Sequence, residues 1–153
     1  MRNTKFLFFF SVLLGCASVS SAQLFKLANT TTDNSPATVL KLKPGGALLV
    51  EGDEAGYLIF RSSDNGNIIK STPAHSAAIN NIDFNSTGRL AVSSSVNGEI
   101  RIYDFQQDRI LNRYKVETTN MRFAVFSIAD GFIYYNTSNK LWKIRSFFGR
   151  EPE

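Results

Sequence analysis

Three stretches of the chain superimpose when shifted by 42 residues, and this repeat restricts the fold more than any other property of the sequence. Placing VLKLKPGGALLVEGDEAGYLIF (Val39 to Phe60) on NIDFNSTGRLAVSSSVNGEIRI (Asn81 to Ile102) brings Leu42 onto Phe84, Gly46 onto Gly88, Leu48 onto Leu90, Gly56 onto Gly98, Leu58 onto Ile100 and Phe60 onto Ile102. A second shift sets Phe84 on Phe126, Ile100 on Trp142 and Ile102 on Ile144. Apolar residues alternate within each copy, so the repeating unit is a small β-sheet and not a helix pair of similar length.

The second copy gives the clearest strands. Ile110 to Tyr114, matched earlier by Ile68 to Lys70, form one strand, and Ile79 to Phe84 form the next, with Ile82 and Phe84 alternating against Asn81 and Asp83. Asn85-Ser86-Thr87-Gly88 is a turn, Leu90 to Ser94 a third strand, Asn97-Gly98 the strongest hairpin signal, and Glu99 to Tyr103 the strand that follows it. Outside the first 22 residues no helical periodicity occurs, Val, Ile, Phe, Tyr and Thr dominate the strands, and prolines sit in turns or between units. The expected fold class is therefore all-β: a partial, three-bladed β-propeller of four-stranded antiparallel sheets.

At these residues the second copy resembles a WD-repeat. Ala74-His75 stands where that family has Gly-His, and Ile82-Asp83-Phe84-Asn85-Ser86-Thr87-Gly88 forms its first turn. Ser93-Ser94-Ser95 supplies the Ser-rich strand, Asn97-Gly98 the Asp-Gly turn and Ile100-Arg101-Ile102-Tyr103-Asp104 the closing strand. The first copy keeps Pro44-Gly45-Gly46 and Gly56-Tyr57-Leu58-Ile59-Phe60 but has Arg61-Ser62 in the Trp-Asp place. The third keeps Phe126 and Leu141-Trp142-Lys143-Ile144 and ends Arg145-Ser146. The resemblance implies a buried structural hydrogen-bond network in the second copy made of His75, Ser94, Asn97 and Tyr103, with Asn97 in place of the family's acid; the alternative is that His75 is an ordinary polar loop residue. It also implies a protein-interaction or scaffold role.

The organisation expected is a leader at 1–22, repeats at about 24–62, 66–104 and 108–146 within 23–148, and a tail at 149–153. The leader has basic Arg2 and Lys5, an apolar run from Phe6 to Gly15 and small residues at Ser20-Ser21-Ala22, the pattern of an exported protein cleaved after Ala22. A second route competes, because Leu13-Leu14-Gly15-Cys16 resembles a lipobox and would leave a membrane-anchored lipoprotein acylated at Cys16. The run is too short to span a bilayer, which takes roughly 20 apolar residues. Cleavage after Ala22 removes the only cysteine, so the mature chain lacks disulfides, which suits a bacterial periplasmic or secreted protein.

The formal charge of +4 falls by two without Arg2 and Lys5, and the remaining cations are interleaved with acids, which argues against nucleic acid as a partner. With one His and no clustering of His, Asp and Glu, no catalytic residue, metal set or cofactor is expected. Asp53-Glu54 reads as a solvated turn.

The phase of the repeats leaves the third copy without an outer strand, for which Leu24 to Leu27 is the equivalent segment, and three blades cannot close a ring that generally takes four to eight. An open arc, a ring shared by two chains and a shortened propeller are the solutions, and association with itself or another protein is favoured, since open edges and faces are hazards. Most aromatics alternate into a core. Tyr134-Tyr135 and Phe147-Phe148 must each point one ring outward, which nominates Tyr135, Phe147 and Phe148 as a contact surface. The alternative function is a hydrolase, lyase or ligand-binding propeller formed only on oligomerisation, if Asp53, Glu54, His75 and Asn97 were brought to one axis.

Overall fold

The computed structural model describes residues 35–118 and 120–146. The expected leader with Cys16, the segment Leu24 to Leu27, and Phe147 and Phe148 lie outside the described residues. Among the described residues eleven strands alternate with short turns: β1 Ala37–Leu42, β2 Leu48–Asp53, β3 Tyr57–Ser62, β4 Ile68–Pro73, β5 Ile79–Phe84, β6 Leu90–Ser95, β7 Glu99–Asp104, β8 Arg109–Lys115, β9 Ala124–Phe126, β10 Phe132–Thr137 and β11 Lys140–Arg145. Consecutive strands pair antiparallel into three sheets, β1-β2-β3-β4, β5-β6-β7-β8 and β9-β10-β11. The all-β partial propeller expected from the sequence is what forms. Among the described residues the third sheet ends at β11, with no fourth strand on that edge.

The innermost strands β1, β5 and β9 are neighbours, so the sheets stand side by side as blades around a common edge. Alternation gives each sheet two apolar faces, and the faces that meet at the two junctions between blades are buried on one another. Val50, Leu58 and Phe60 of the first blade pack on Ile79, Ile82, Phe84 and Ala91 of the second. Leu90, Val92, Ile100 and Ile102 of the second pack on Met121, Ala124, Ile133 and Tyr135 of the third. Val50, Leu58, Phe60, Ile79, Ile82 and Ala91 recur 42 positions on as Val92, Ile100, Ile102, Met121, Ala124 and Ile133: one interface is used twice.

Two polar contacts repeat the same shift. Thr38 donates its hydroxyl to the Ile79 carbonyl across the first junction, and Asn80, 42 positions on, donates its amide to the Met121 carbonyl across the second. Ile79 and Met121 are buried, and side chains from the neighbouring blade satisfy their carbonyls.

The turns explain the glycines that recur. Gly56 and Gly98 end the β2–β3 and β6–β7 hairpins at φ 88 and 89°, in the left-handed region. Each also lies under the chain returning from the outer strand: a Cβ on Gly56 would sit 2.3 Å from the His75 carbonyl oxygen, and one on Gly98 2.2 Å from that of Val116.

The third hairpin departs from the repeat. A three-residue loop, Val96-Asn97-Gly98, joins β6 to β7, whereas two residues, Ser138 and Asn139, join β10 to β11, with Ser138 at φ 47°. Opposite Tyr135 stands Trp142, and opposite Ile133 stands Ile144. In the second blade Ser93, the equivalent of Tyr135, faces Arg101. Trp142 thus occupies the place of Arg101 and not of Ile100, and Ile144 that of Tyr103 and not of Ile102. The sequence alignment of these two residues is corrected by one, and a one-residue slip moves every side chain of β11 to the other face.

Candidate functional site

The densest polar cluster is built where the connection from β4 to β5 crosses the β6–β7 hairpin. Pro73 ends the outer strand, the chain turns in under Gly56, whose carbonyl accepts from the Ala74 and His75 amides, and His75 is thereby held against the second blade. Its Nε2 is 2.8 Å from Ser93 Oγ, and its Nδ1 faces Glu99 Oε2 at 3.5 Å. Glu99 accepts from the Ser76 amide (2.9 Å) and hydroxyl (2.7 Å) and pairs with Arg101 at 3.3 Å. Arg101 in turn donates to the Ala74 carbonyl, fastening the same connection from the other side.

Electrostatics follow from this packing. Burial pushes the His75 imidazole down to about 4, and the Arg101 guanidinium adds to the effect against the opposing pull of Glu99. For Glu99 burial acts upward, but the Ser76 amide and hydroxyl and then Arg101 outweigh it and hold the carboxyl at about 2. At neutral pH the ring is uncharged and the acid ionised.

Ser93, His75 and Glu99 stand in the order of a nucleophile, its base and an orienting acid. Ser93 is only 2% exposed and the His75 side chain is closed to solvent. The arrangement ties the β4–β5 connection to the β6–β7 hairpin through Ser93, His75, Ser76, Glu99 and Arg101. The expected set His75, Ser94, Asn97 and Tyr103 is not one network. His75 and Asn97 meet in the cluster through Glu99 and Ser76, whereas Ser94 and Tyr103 lie outside it. Ser94 points to the opposite face, where its hydroxyl donates to Asn80 Oδ1 at 2.8 Å. Asn97 reaches the edge of the cluster, donating to Ser76 Oγ at 2.9 Å. Tyr103 packs its ring on Phe60, centroids 5.0 Å apart, and its hydroxyl donates to Asp108 and accepts from Lys70.

Sequence reading missed Ser76, Ser93, Glu99 and Arg101. One signal was present: an acid, Glu99, immediately after Asn97-Gly98, two places beyond the position at which the family carries its own.

Two further expectations change. Tyr135, nominated for a contact surface, is 7% exposed and packed in the second junction. Asp53 is not a solvated turn residue: it is fully buried and accepts the Tyr57 amide at 2.7 Å, while its neighbour Glu54 is exposed. No group of three His, Cys, Asp or Glu side chains suited to a metal occurs among the described residues. No helix among them is long and apolar enough to cross a membrane.

Beside the cluster, at the same end of the strands, the β6–β7 and β10–β11 hairpins and the connection leaving β8 enclose a cleft of ≈ 670 Å³ open to solvent. Asn97, Lys115, Glu117, Thr118, Thr137 and Lys140 line it. Lys115 spans cluster and cleft: its ammonium donates to the Asn97 carbonyl at 2.8 Å and lies 3.9 Å from Glu99. The opposite end of the strands is tied by Asp130, which accepts from the Ser86 amide and hydroxyl and from Asn85, joining the turns of the second and third blades.

Compared with known proteins, no family model and no curated protein matches the chain. Among solved structures it is similar to a chain of a mitotic checkpoint complex, with a TM-score of 0.67 and 13% identity over 76% of this chain and 36% of that one. The chain therefore spans about a third of the length of that neighbour. At this identity the likeness establishes architecture: the molecule is a stack of WD-like propeller blades.

Proposed function

We propose that the chain is an exported, non-enzymatic protein-binding module that holds a segment of a partner protein in the cleft between the second and third blades. The observation that carries this reading is the cleft itself: two lysines, one acid and several amide and hydroxyl groups presented on hairpins whose bases are fixed by the His75 cluster and the blade junctions. Such a lining offers donors to backbone carbonyls and carboxylates of an extended peptide, on a scaffold that loses little entropy when it binds. The similar solved chain is described as part of a complex, which agrees with a platform role. Export rests on the leader at 1–22, with release after Ala22 or tethering through an acylated Cys16 as its two outcomes, in the periplasm or outside the cell.

A photo-reactive residue at Asn139, in the cleft hairpin, tests the site when compared with one at Asp64, at the other end of the first blade. The proposal predicts a discrete cross-linked partner from Asn139 that disappears in Lys140→Glu, and none from Asp64. Equal labelling from both positions, or none from either, contradicts it.

A further inference from the structure

The two junctions inside the molecule are copies of each other, so the two end faces can be compared with them slot by slot. On the outward face of the third blade, Phe132, Tyr134 and Leu141 take the places of Leu90, Val92 and Ile100 once the shorter hairpin is counted. Leu141 is 65% exposed, whereas Ile100 is 0% and Leu58, in the same place one blade earlier, 1% exposed. On the open face of the first blade, Leu40, Leu42 and Leu49 take the places of Ile82, Phe84 and Ala91. Leu40 is 50% exposed where Ile82 is 1% exposed, and Leu42 is 52% exposed where Phe84 is 9% exposed. The chain thus displays both halves of the junction it builds twice internally.

The polar contact has its counterpart as well. Arg122 stands 42 positions after Asn80, exposed, where Asn80 reaches the next blade's backbone. The carbonyl that would receive it is that of Ala37, which is 42 positions before Ile79 and begins β1. Where the internal junctions place Ile102, the outward face carries Lys143, whose ammonium lies 4.8 Å from the Phe132 ring centre. A half-wet face of this kind suits association more than burial within one folded chain.

We propose that the outward face of the third blade binds the open face of the first blade of a second copy, head to tail, through a third use of the same junction. The contact is heterologous, since different surfaces meet, and two chains of three blades each would close it into a ring of six, within the four to eight that propellers use. The faces involved are separate from the peptide cleft, so this proposal and the preceding one stand or fall independently.

Light scattering on the purified, naturally processed chain across the micromolar range tests it, with Leu40→Asp and Leu141→Asp as variants at exposed positions that leave each blade's own core intact. The expected result is a particle of twice the monomer mass for the natural chain and of monomer mass for either variant alone. Mixing the two variants should restore dimers, because one pairing then brings together two unaltered faces. A natural chain that stays monomeric overturns the proposal, and assigns the faces to another protein or to further chain. A dimer that survives either substitution, or is not restored by mixing, overturns the head-to-tail arrangement. Circular dichroism of each variant separates loss of association from loss of folding.

Discussion

His75 is neutral where it sits because charging it would strand a cation in a closed pocket beside Arg101, and that makes stability depend on acidity. An unfolded chain takes up a proton at the ordinary histidine value of 6.5, the folded chain only at about 4. Between those values the unfolded state holds more protons, so stability is full above about 6.5 and falls as pH drops towards 4, by about 3 kcal/mol if the whole difference is expressed. Glu99, held at about 2 against an ordinary 4.5, loses its contribution in the next window down. Denaturant unfolding measured from pH 8 to pH 4 should show this decline, and His75→Gln should flatten it above pH 4.5. An unchanged slope in the variant would assign the dependence elsewhere.

Gly98 gives a second prediction at this scale. Gly98→Ala must place a methyl group 2.2 Å from a backbone oxygen at a φ of 89°, so the hairpin or the returning strand has to move. A loss of about 2–3 kcal/mol in unfolding free energy is expected, at the upper end for a strained backbone position. Gly45→Ala, at φ 94° but with open space around it, should cost about 1 kcal/mol. The need for glycine at position 98 was legible from Asn97-Gly98. Which serine meets His75 was not: three consecutive serines offer no contrast of polarity, so alternation cannot tell Ser93, facing the first blade, from Ser94, facing the third.

Among the elements, the strands were legible because each carries a full alternation of apolar residues bounded by turn residues; the observed β5 and β7 begin where the pattern places them. The third hairpin was not. Removing one loop residue leaves the alternation of β11 intact while transferring its faces, so Trp142 matches Ile100 in sequence and Arg101 in space. Junction residues should therefore differ sharply from residues on outer strands. Ile100→Ala is expected to cost about 2–5 kcal/mol, the range for truncating a packed aliphatic side chain. Ile69→Ala on β4, already 62% exposed, should stay within about 0.5 kcal/mol. Asn80→Ala removes a junction donor and strands the Met121 carbonyl, for an expected loss of about 1–3 kcal/mol. Urea midpoints for the three variants check the ranking, which a molecule without blade junctions would not follow.

For the molecule as a whole, repetition does two things at once. It gives the chain a core spread over two equivalent seams, each contacting only its neighbour, and it leaves the terminal faces shaped like the seams inside. The proposed export adds a prediction of its own: intact-mass analysis of the protein from its host should find a chain beginning at Gln23 or at a lipid-modified Cys16, and a product retaining Met1 would contradict the proposal by either route. The order of the blades is the claim on which junctions, cleft and end faces all depend. Methyl–methyl nuclear Overhauser effects test it most directly. A blade stack predicts cross-peaks from Val50 and Leu58 to Ile82 and Ala91, and an equivalent set from Val92 and Ile100 to Ala124 and Ile133. Cross-peaks running from Val50 and Leu58 to Ala124 and Ile133 instead would place the first sheet against the third, as in a sandwich, and contradict the account.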